Sequence, residues 1–278
     1  MKAGDLVRLV SPASTPDREW VDESVRILES WGFAVDIGAH ALDRWGYMAG
    51  TDEDRLADLN GAFADPAVRA IVATRGGAGT YRIIDGIDFD AVRADPKPVV
   101  GFSDITYLHL ALWGRARVPG IHGCLDGERA RNSVRHLLTR PEPIVLQGKP
   151  LVAGRASGVL LGGNLTSIAG MVGAGLPDLR GAIVAIEAER TIGLGQVDRQ
   201  LTQLIRSGSF DGIAGIALGR FTKFDNYVDR GWALDDVLTD RLVPLGVPIL
   251  EGLEFGHGLI LWRSGWAATP SSTRPRRH

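Results

Sequence analysis

Short apolar, β-branched runs that close on a Gly- or Ser-rich turn and then give way to helically spaced residues recur through the first half of this chain. Such a pattern demands a parallel sheet covered by helices, because parallel neighbours need a crossover and a helix is its usual form. Leu6–Val10 reads as the first strand and ends in Ser11-Pro12-Ala13-Ser14. The stretch 17–31 then spaces Trp20, Val21, Val25, Ile27, Leu28 and Trp31 as a helix, with Gly32 as its stop. A strand over 33–37 follows, then a helix over 51–63, where Thr51 and Asp54 approximate a capping box. Strands at 70–73 and 98–101 feed Arg75-Gly76-Gly77-Ala78-Gly79-Thr80 and Phe102-Ser103-Asp104, and a helix over 105–113 comes after the second. In such a sheet the functional edge is the carboxyl end of the strands.

Between positions 140 and 157 the text changes to Pro141, Pro143, Gln147-Gly148-Lys149-Pro150 and Gly154, which reads as an exposed connection. The expected organisation is therefore α/β throughout, with an N-terminal domain over residues 1–145 and a C-terminal domain over 155–278. The second half predicts strands at 158–161, 182–186, 212–218 and 247–250, and helices at 198–205 and 234–242, so it is mixed. Residues 271–278 form a basic tail with nothing to bury.

Composition narrows the function classes. With 45% apolar and 23% charged residues the chain can build a sizeable core. Its 31 basic against 33 acidic residues give a net charge of -2, which offers no global attraction to nucleic acid or an anionic bilayer. The single Cys124 excludes an intramolecular disulfide and a cysteine-rich metal site. The opening residues lack the apolar region of a signal peptide, and no run approaches the roughly 20 apolar residues that span a bilayer. Cytoplasm is the expected location.

Three segments carry candidate chemistry. In Val99-Val100-Gly101-Phe102-Ser103-Asp104-Ile105, a serine on a tight strand-to-helix turn has an exposed hydroxyl beside amides that could stabilise an oxyanion. Ile105 stands where the G-x-S-x-G motif has its second glycine, and a simple helix cap by Ser103 or Asp104 is the competing reading. The glycines of 74–80 let backbone amides approach an anion, yet neither a complete G-x-G-x-x-G nor a Walker lysine is present, and a tight turn explains them equally. Glu187 follows the apolar run 182–186, and His257 lies between Gly256 and Gly258; a solvated strand end and a turn histidine are their plain alternatives. His40, His109, His122, His136 and His278 show no zinc spacing, so no metal or cofactor is expected. Together Ser103, Glu187 and His257 supply the nucleophile, orienting carboxylate and base of serine acyl transfer.

The runs RGGAGTYRIIDGIDFD, KPVVGFSDITYLHLAL, GVLLGGNLTSIAGMVG, AIVAIEAE, VDRQLTQLIRSGSFDGIAGIALGRF and GVPILEGLEFGHG resemble, in order, the LD-carboxypeptidase family of serine peptidases. That family includes muramoyltetrapeptide carboxypeptidases and microcin C immunity hydrolases. The resemblance extends from Lys2 to Gly258. It implies a flavodoxin-like N-terminal α/β domain, a C-terminal domain with a small barrel-like sheet, an active site between them and a homodimer. It also implies Ser103 as nucleophile, Glu187 and His257 as the rest of the triad, and the amides of Gly77 and Asp104 as the oxyanion hole.

The implied substrate is a small murein tetrapeptide, cut between the L-centre of a diamino acid and terminal D-alanine. Because that peptide is anionic, Arg75 and Arg82 are candidates for carboxylate recognition, with Arg75 and Gly76 the expected substrate-binding element; ordinary surface charge is the alternative for both and the favoured one for Arg82. The alternatives are a hydrolase of peptidyl or aminoacyl nucleotide antibiotics, resembling microcin immunity proteins, and a non-catalytic anion-binding α/β module. The chain departs from the family in two places. Ala78 stands where an aromatic is common, and Gly258 leads into Leu-Ile-Leu-Trp-Arg-Ser-Gly-Trp and the basic tail, where the family has an apolar strand and a Pro-Leu-Gly-type turn.

Overall fold

Strand and helix alternate from the first residues of the chain in the computed structural model, which describes residues 1–257 and the backbone of 262–263 and 267–268. The remaining residues after Gly258 and the basic tail expected at 271–278 lie outside the described residues. The chain divides into two compact units: Met1–Ile144 with a late strand at Trp262–Arg263, and Val145–His257 with one at Ala267–Ala268.

In the first unit, strands β1 (Leu6–Val10), β2 (Ala34–Ile37), β3 (Val68–Ala73), β4 (Val99–Gly101) and β5 (Ile121–His122) form a parallel sheet in the order 2-1-3-4-5. That is the doubly wound order of flavodoxin-like folds. The helices are α1 (Arg18–Ser30), α2 (Asp52–Ala64), α3 (Thr80–Ile83), α4 (Phe89–Ala94), α5 (Thr106–Ala116) and α6 (Glu128–Thr139). Alternation along the strands divides the core between the two faces. Ile71 and Val99 pack with Leu59 and Phe63 of α2 and Leu108 and Leu112 of α5. Val72 and Val100 pack on the other side with Val21 and Leu28 of α1 and Val134 of α6. The Thr51–Asp54 capping box at α2 forms as expected: the Asp54 amide donates to Thr51 Oγ1 (3.2 Å) and the Thr51 amide to Asp54 Oδ2 (2.9 Å).

The second unit contains β6 (Lys149–Val152), β7 (Gly158–Asn164), β8 (Ile183–Glu189), β9 (Gly215–Thr222) and β10 (Ile249–Glu251), with α7 (Leu165–Gly170), α8 (Leu194–Arg206) and α9 (Leu234–Leu242). Strands β7 to β10 are parallel, and β6 joins β10 antiparallel at the edge. The late strands β11 (Trp262–Arg263) and β12 (Ala267–Ala268) add antiparallel to β5 and β7 respectively.

Two sequence expectations need correction. Lys149–Val152, read as open connection, is a strand; Pro150 lacks a donor but an edge position tolerates that. The run predicted to end at Ile186 continues to Glu189, so Glu187 is inside a strand rather than at a solvated end. Among the described residues no helix is long and apolar enough to cross a membrane.

Candidate functional site

Ser103 follows β4 directly. Phe102 is extended (φ -147°), and Ser103 turns to φ +60°, the left-handed region, before a short 3₁₀ turn over Ser103–Ile105 opens into α5. A non-glycine residue there is strained by about 1–3 kcal/mol, and such strain concentrates at sites where a side chain must be presented. The departure at Ile105 has a packing cause. Ile105 is fully buried, and a Cβ at Gly101 would lie 2.5 Å from its Cγ2, so Gly101 provides the room that lets a large residue follow the turn.

The glycine loop is joined to this turn from several sides. A Cβ on Gly76 would lie 2.8 Å from Ser103 Cβ and 3.0 Å from the Phe102 carbonyl, so only glycine lets the two loops touch there. The Thr80 amide donates to Asp104 Oδ2 at 2.9 Å. From the turn after β1, Ser14 donates its amide to Gly76 O (3.3 Å), and its Oγ accepts from the Ala78 amide (3.1 Å). Arg55 of α2, only 2% exposed, donates to Pro12 O (2.7 Å) and steadies that same turn. Burial pushes the Asp104 carboxyl up, and the Thr80 amide opposes that rise. Gly77 is exposed, with φ +108°.

Arg75 is exposed and donates through Nη1 to Thr15 O (3.1 Å). Arg82 grips Asp52 through Nε and Nη2 (2.9 Å each) and lies over the Trp45 ring at 5.5 Å. Its charge therefore has a structural partner. His40 Nδ1, Asp43 and Asp54 bring possible metal-ligand atoms within 4.8 Å of one another; Asp54 Oδ1 lies 3.7 Å from His40 Nδ1, and its Oδ2 accepts from the Thr51 amide.

In the second unit the strand register assembles an acid–base pair. Between Ile186 and Ala188 the register with β9 slips by one residue, leaving an extra residue on β9, a bulge of the kind that re-aims neighbouring groups. The chain after β10 runs along this bulge: the Leu253 amide donates to Leu218 O (3.1 Å) and the Arg220 amide to Phe255 O (2.8 Å). Gly256, at φ +110°, then passes so close that a Cβ would stand 2.8 Å from Glu187 Cβ. His257 arrives on the carboxylate. Its amide donates to Glu187 Oε2 at 3.3 Å and its Nδ1 lies 2.6 Å from the same oxygen.

Glu187 is fully buried and His257 is 18% exposed. An ionised carboxylate only accepts, so Nδ1 carries the proton and Nε2 presents its lone pair. Burial disfavours the charged imidazole, but the Glu187 hydrogen bond and charge outweigh it and hold the His257 pKa above its ordinary value.

Asn164, paired with Glu187 in the β7–β8 register, donates from Nδ2 to Glu187 Oε1 (3.2 Å), while its Oδ1 accepts from the Thr166 and Ser167 amides. Sequence reading missed it. The visible signal was an asparagine at a strand-to-helix junction, which also reads as an ordinary cap. Ser14, Arg55 and the carboxylate of Asp104 were missed likewise. Thus Ser103, Gly76 and Asp104 are together in the first unit, and Glu187 and His257 are together in the second.

A doubly wound sheet with a strained serine after its fourth strand, and a second unit bearing a carboxylate-clamped histidine, mark a two-unit α/β hydrolase. The LD-carboxypeptidase N-terminal domain profile matches residues 7–123 and the C-terminal domain profile residues 157–260; the chain belongs to the LD-carboxypeptidase family. A murein tetrapeptide carboxypeptidase of Pseudomonas aeruginosa is 31% identical over 91% of this chain and 88% of its own length. The crystal structure of the muramoyltetrapeptide carboxypeptidase from Oxalobacter formigenes superposes with a TM-score of 0.87 at 26% identity, covering 96% of this chain and 95% of that one. The microcin C7 self-immunity protein MccF of Escherichia coli is 25% identical over 92% of this chain and 87% of its own.

Proposed function

We propose that this hydrolase is a serine-type LD-carboxypeptidase that releases terminal D-alanine from murein tetrapeptides. The observation that carries the reading is the Glu187–His257 pair: a buried carboxylate on Nδ1 leaves Nε2 as the basic nitrogen. In this mechanism His257 Nε2 takes the Ser103 hydroxyl proton as Oγ attacks the amide carbonyl. The amides of Gly77 and Asp104 hold the oxyanion. As the tetrahedral intermediate collapses, the C–N bond breaks and Nε2–H passes its proton to the departing nitrogen. Water, deprotonated by the same imidazole, then attacks the acyl-enzyme; the ester C–O bond breaks and Nε2–H returns its proton to Ser103 Oγ, which frees the acid. Glu187 keeps the ring in one tautomer throughout, and Asn164 keeps Glu187 in place. Arg75 meets an anionic group of the peptide. These steps call for no cofactor, and the resemblance to the family extends the proposal to a cytoplasmic homodimer.

A second reading, hydrolysis of aminoacyl nucleotide antibiotics, has support in the similarity to MccF. Parallel incubation with a murein tetrapeptide and an aminoacyl-sulfamoyl adenosine, with products read by mass, separates the two. A fluorophosphonate should label the wild type and not Ser103→Ala, which should also lose at least about 10⁴-fold in turnover. Labelling that survives Ser103→Ala eliminates the nucleophile. An unlabelled wild type that hydrolyses neither compound favours the anion-binding module.

A further inference from the structure

Glu187 does not face His257 alone. Two residues on along β8, and so on the same face of the strand, Glu189 brings Oε2 to 4.0 Å from His257 Nε2. Glu189 is in turn held by Lys223, whose Nζ lies 2.5 Å from Oε1. Lys223 begins the turn after β9 and adopts φ +64°, the left-handed region. Arg190 keeps it there by donating Nε to the Lys223 carbonyl (2.6 Å), with its guanidinium 4.2 Å over the Tyr227 ring. Next to Lys223, Phe224 is buried. A strained residue with its own support, aimed at a carboxylate beside Nε2, invites a functional account.

The position of Nε2 in the reaction identifies what comes near it. The departing nitrogen takes its proton from Nε2, so it comes within hydrogen-bond distance, about 3 Å. In an amino acid leaving group the carboxylate carbon is only about 2.5 Å beyond that nitrogen. A free carboxylate therefore arrives within about 6 Å of Nε2. Among the described residues, the Lys223 ammonium on Glu189 is a cation placed to meet it there. The Lys223 side chain is 64% exposed and Glu189 34%, and an ion pair so open to water is worth little, so Lys223 can change partner at small cost.

Resting on the carboxypeptidase reading, we propose that Lys223 is the specificity residue that binds the free carboxylate of the departing amino acid, with Glu189 holding it ready. When Lys223 turns to the substrate, the Glu189 carboxylate becomes an acceptor for the N–H groups of the released amine. Restriction to the terminal residue then follows: an internal peptide bond has an amide where Lys223 requires a carboxylate.

The experiment compares kcat/KM for a murein tetrapeptide and its C-terminal carboxamide in wild type, Lys223→Met and Lys223→Arg. Wild type is expected to prefer the free acid by about 10- to 100-fold, the worth of one charge-assisted hydrogen bond. Lys223→Met should collapse that ratio to within about threefold, chiefly through KM for the acid, and Lys223→Arg should keep most of it. A purely structural lysine would lower both substrates together and leave the ratio standing. A Lys223→Met enzyme that keeps the wild-type preference, or a wild type that cuts acid and carboxamide alike, overturns the proposal. A wild type that labels with fluorophosphonate yet hydrolyses neither peptide overturns instead the reading beneath it.

Discussion

Ser103 is held at φ +60° on a turn made rigid by backbone and packing, whereas His257 is held by a carboxylate that has itself been withdrawn from water. In the first unit the instrument is shape. Gly101 yields to Ile105, Gly76 admits Ser103, and the Thr80 amide ties one loop to the other through Asp104. In the second the instrument is charge. Glu187 is satisfied by Asn164 Nδ2, by the His257 amide and by Nδ1, and without them an ionised group so buried would be strongly disfavoured. The two halves should therefore fail differently: the serine turn when volume is added, the pair when charge is removed.

The largest effect expected from that contrast is at Glu187. In the proposed mechanism His257 acts as a base only when neutral, so activity should fall as pH drops through its pKa. Because Glu187 holds that pKa above the ordinary value of about 6.5, the acid limb of the kcat/KM profile should lie above pH ~6.5. Glu187→Gln removes the charge and leaves the burial, so the limb should move to lower pH. The plateau should drop by about 10³- to 10⁴-fold as the ring loses its tautomer control. A limb that stays where it was would show that His257 is not the group being titrated.

That residue also measures how far the sequence could be read. The strand, turn and helix rhythm of the first unit was legible because each element carries its own period and its own stop, as in 6–10, Ser11–Ser14 and 17–31. Ser103, Glu187 and His257 stood out in the sequence as residue types beside apolar runs or glycines, and the structure places Glu187 and His257 together. The burial of Glu187 was not, since it depends on β8 running three residues beyond Ile186 between β7 and β9. Asn164, Arg55 and Glu189 escaped for the same reason. Each acts across a register or a loop contact, and nothing local distinguishes them from a cap, a helix surface residue or a strand end.

The next effect tests shape. Gly76→Ala puts a methyl 2.8 Å from Ser103 Cβ and 3.0 Å from the Phe102 carbonyl, and the carbonyl cannot step aside without moving the serine. A displacement approaching 1 Å costs about 10²-fold in rate, so kcat should fall by about that factor with the pH profile unmoved. Gly256→Ala meets Glu187 Cβ at 2.8 Å and adds strain at φ +110°; it disturbs the charged half and should displace the acid limb as well as lower kcat. If both alanine variants shift the pH limb equally, the distinction between a shape-held and a charge-held half does not stand.

The smallest effects separate two arginines that look alike in sequence. Arg82 spends Nε and Nη2 on Asp52 and covers Trp45, so Arg82→Gln should lower thermal stability slightly and leave KM for the tetrapeptide within about twofold. Arg75 adjoins Gly76, is exposed, and makes a backbone hydrogen bond through Nη1 to Thr15 O. If it meets an anionic group of the substrate, Arg75→Gln should raise KM between about 2- and 10-fold, with kcat little changed and Tm nearly constant. Charge in the first unit would then serve binding alone, while charge in the second serves the proton at Glu187 and, through Lys223, the departing carboxylate. A KM that rises in Arg82→Gln and not in Arg75→Gln would reverse the assignment and place the substrate's anion beside Trp45.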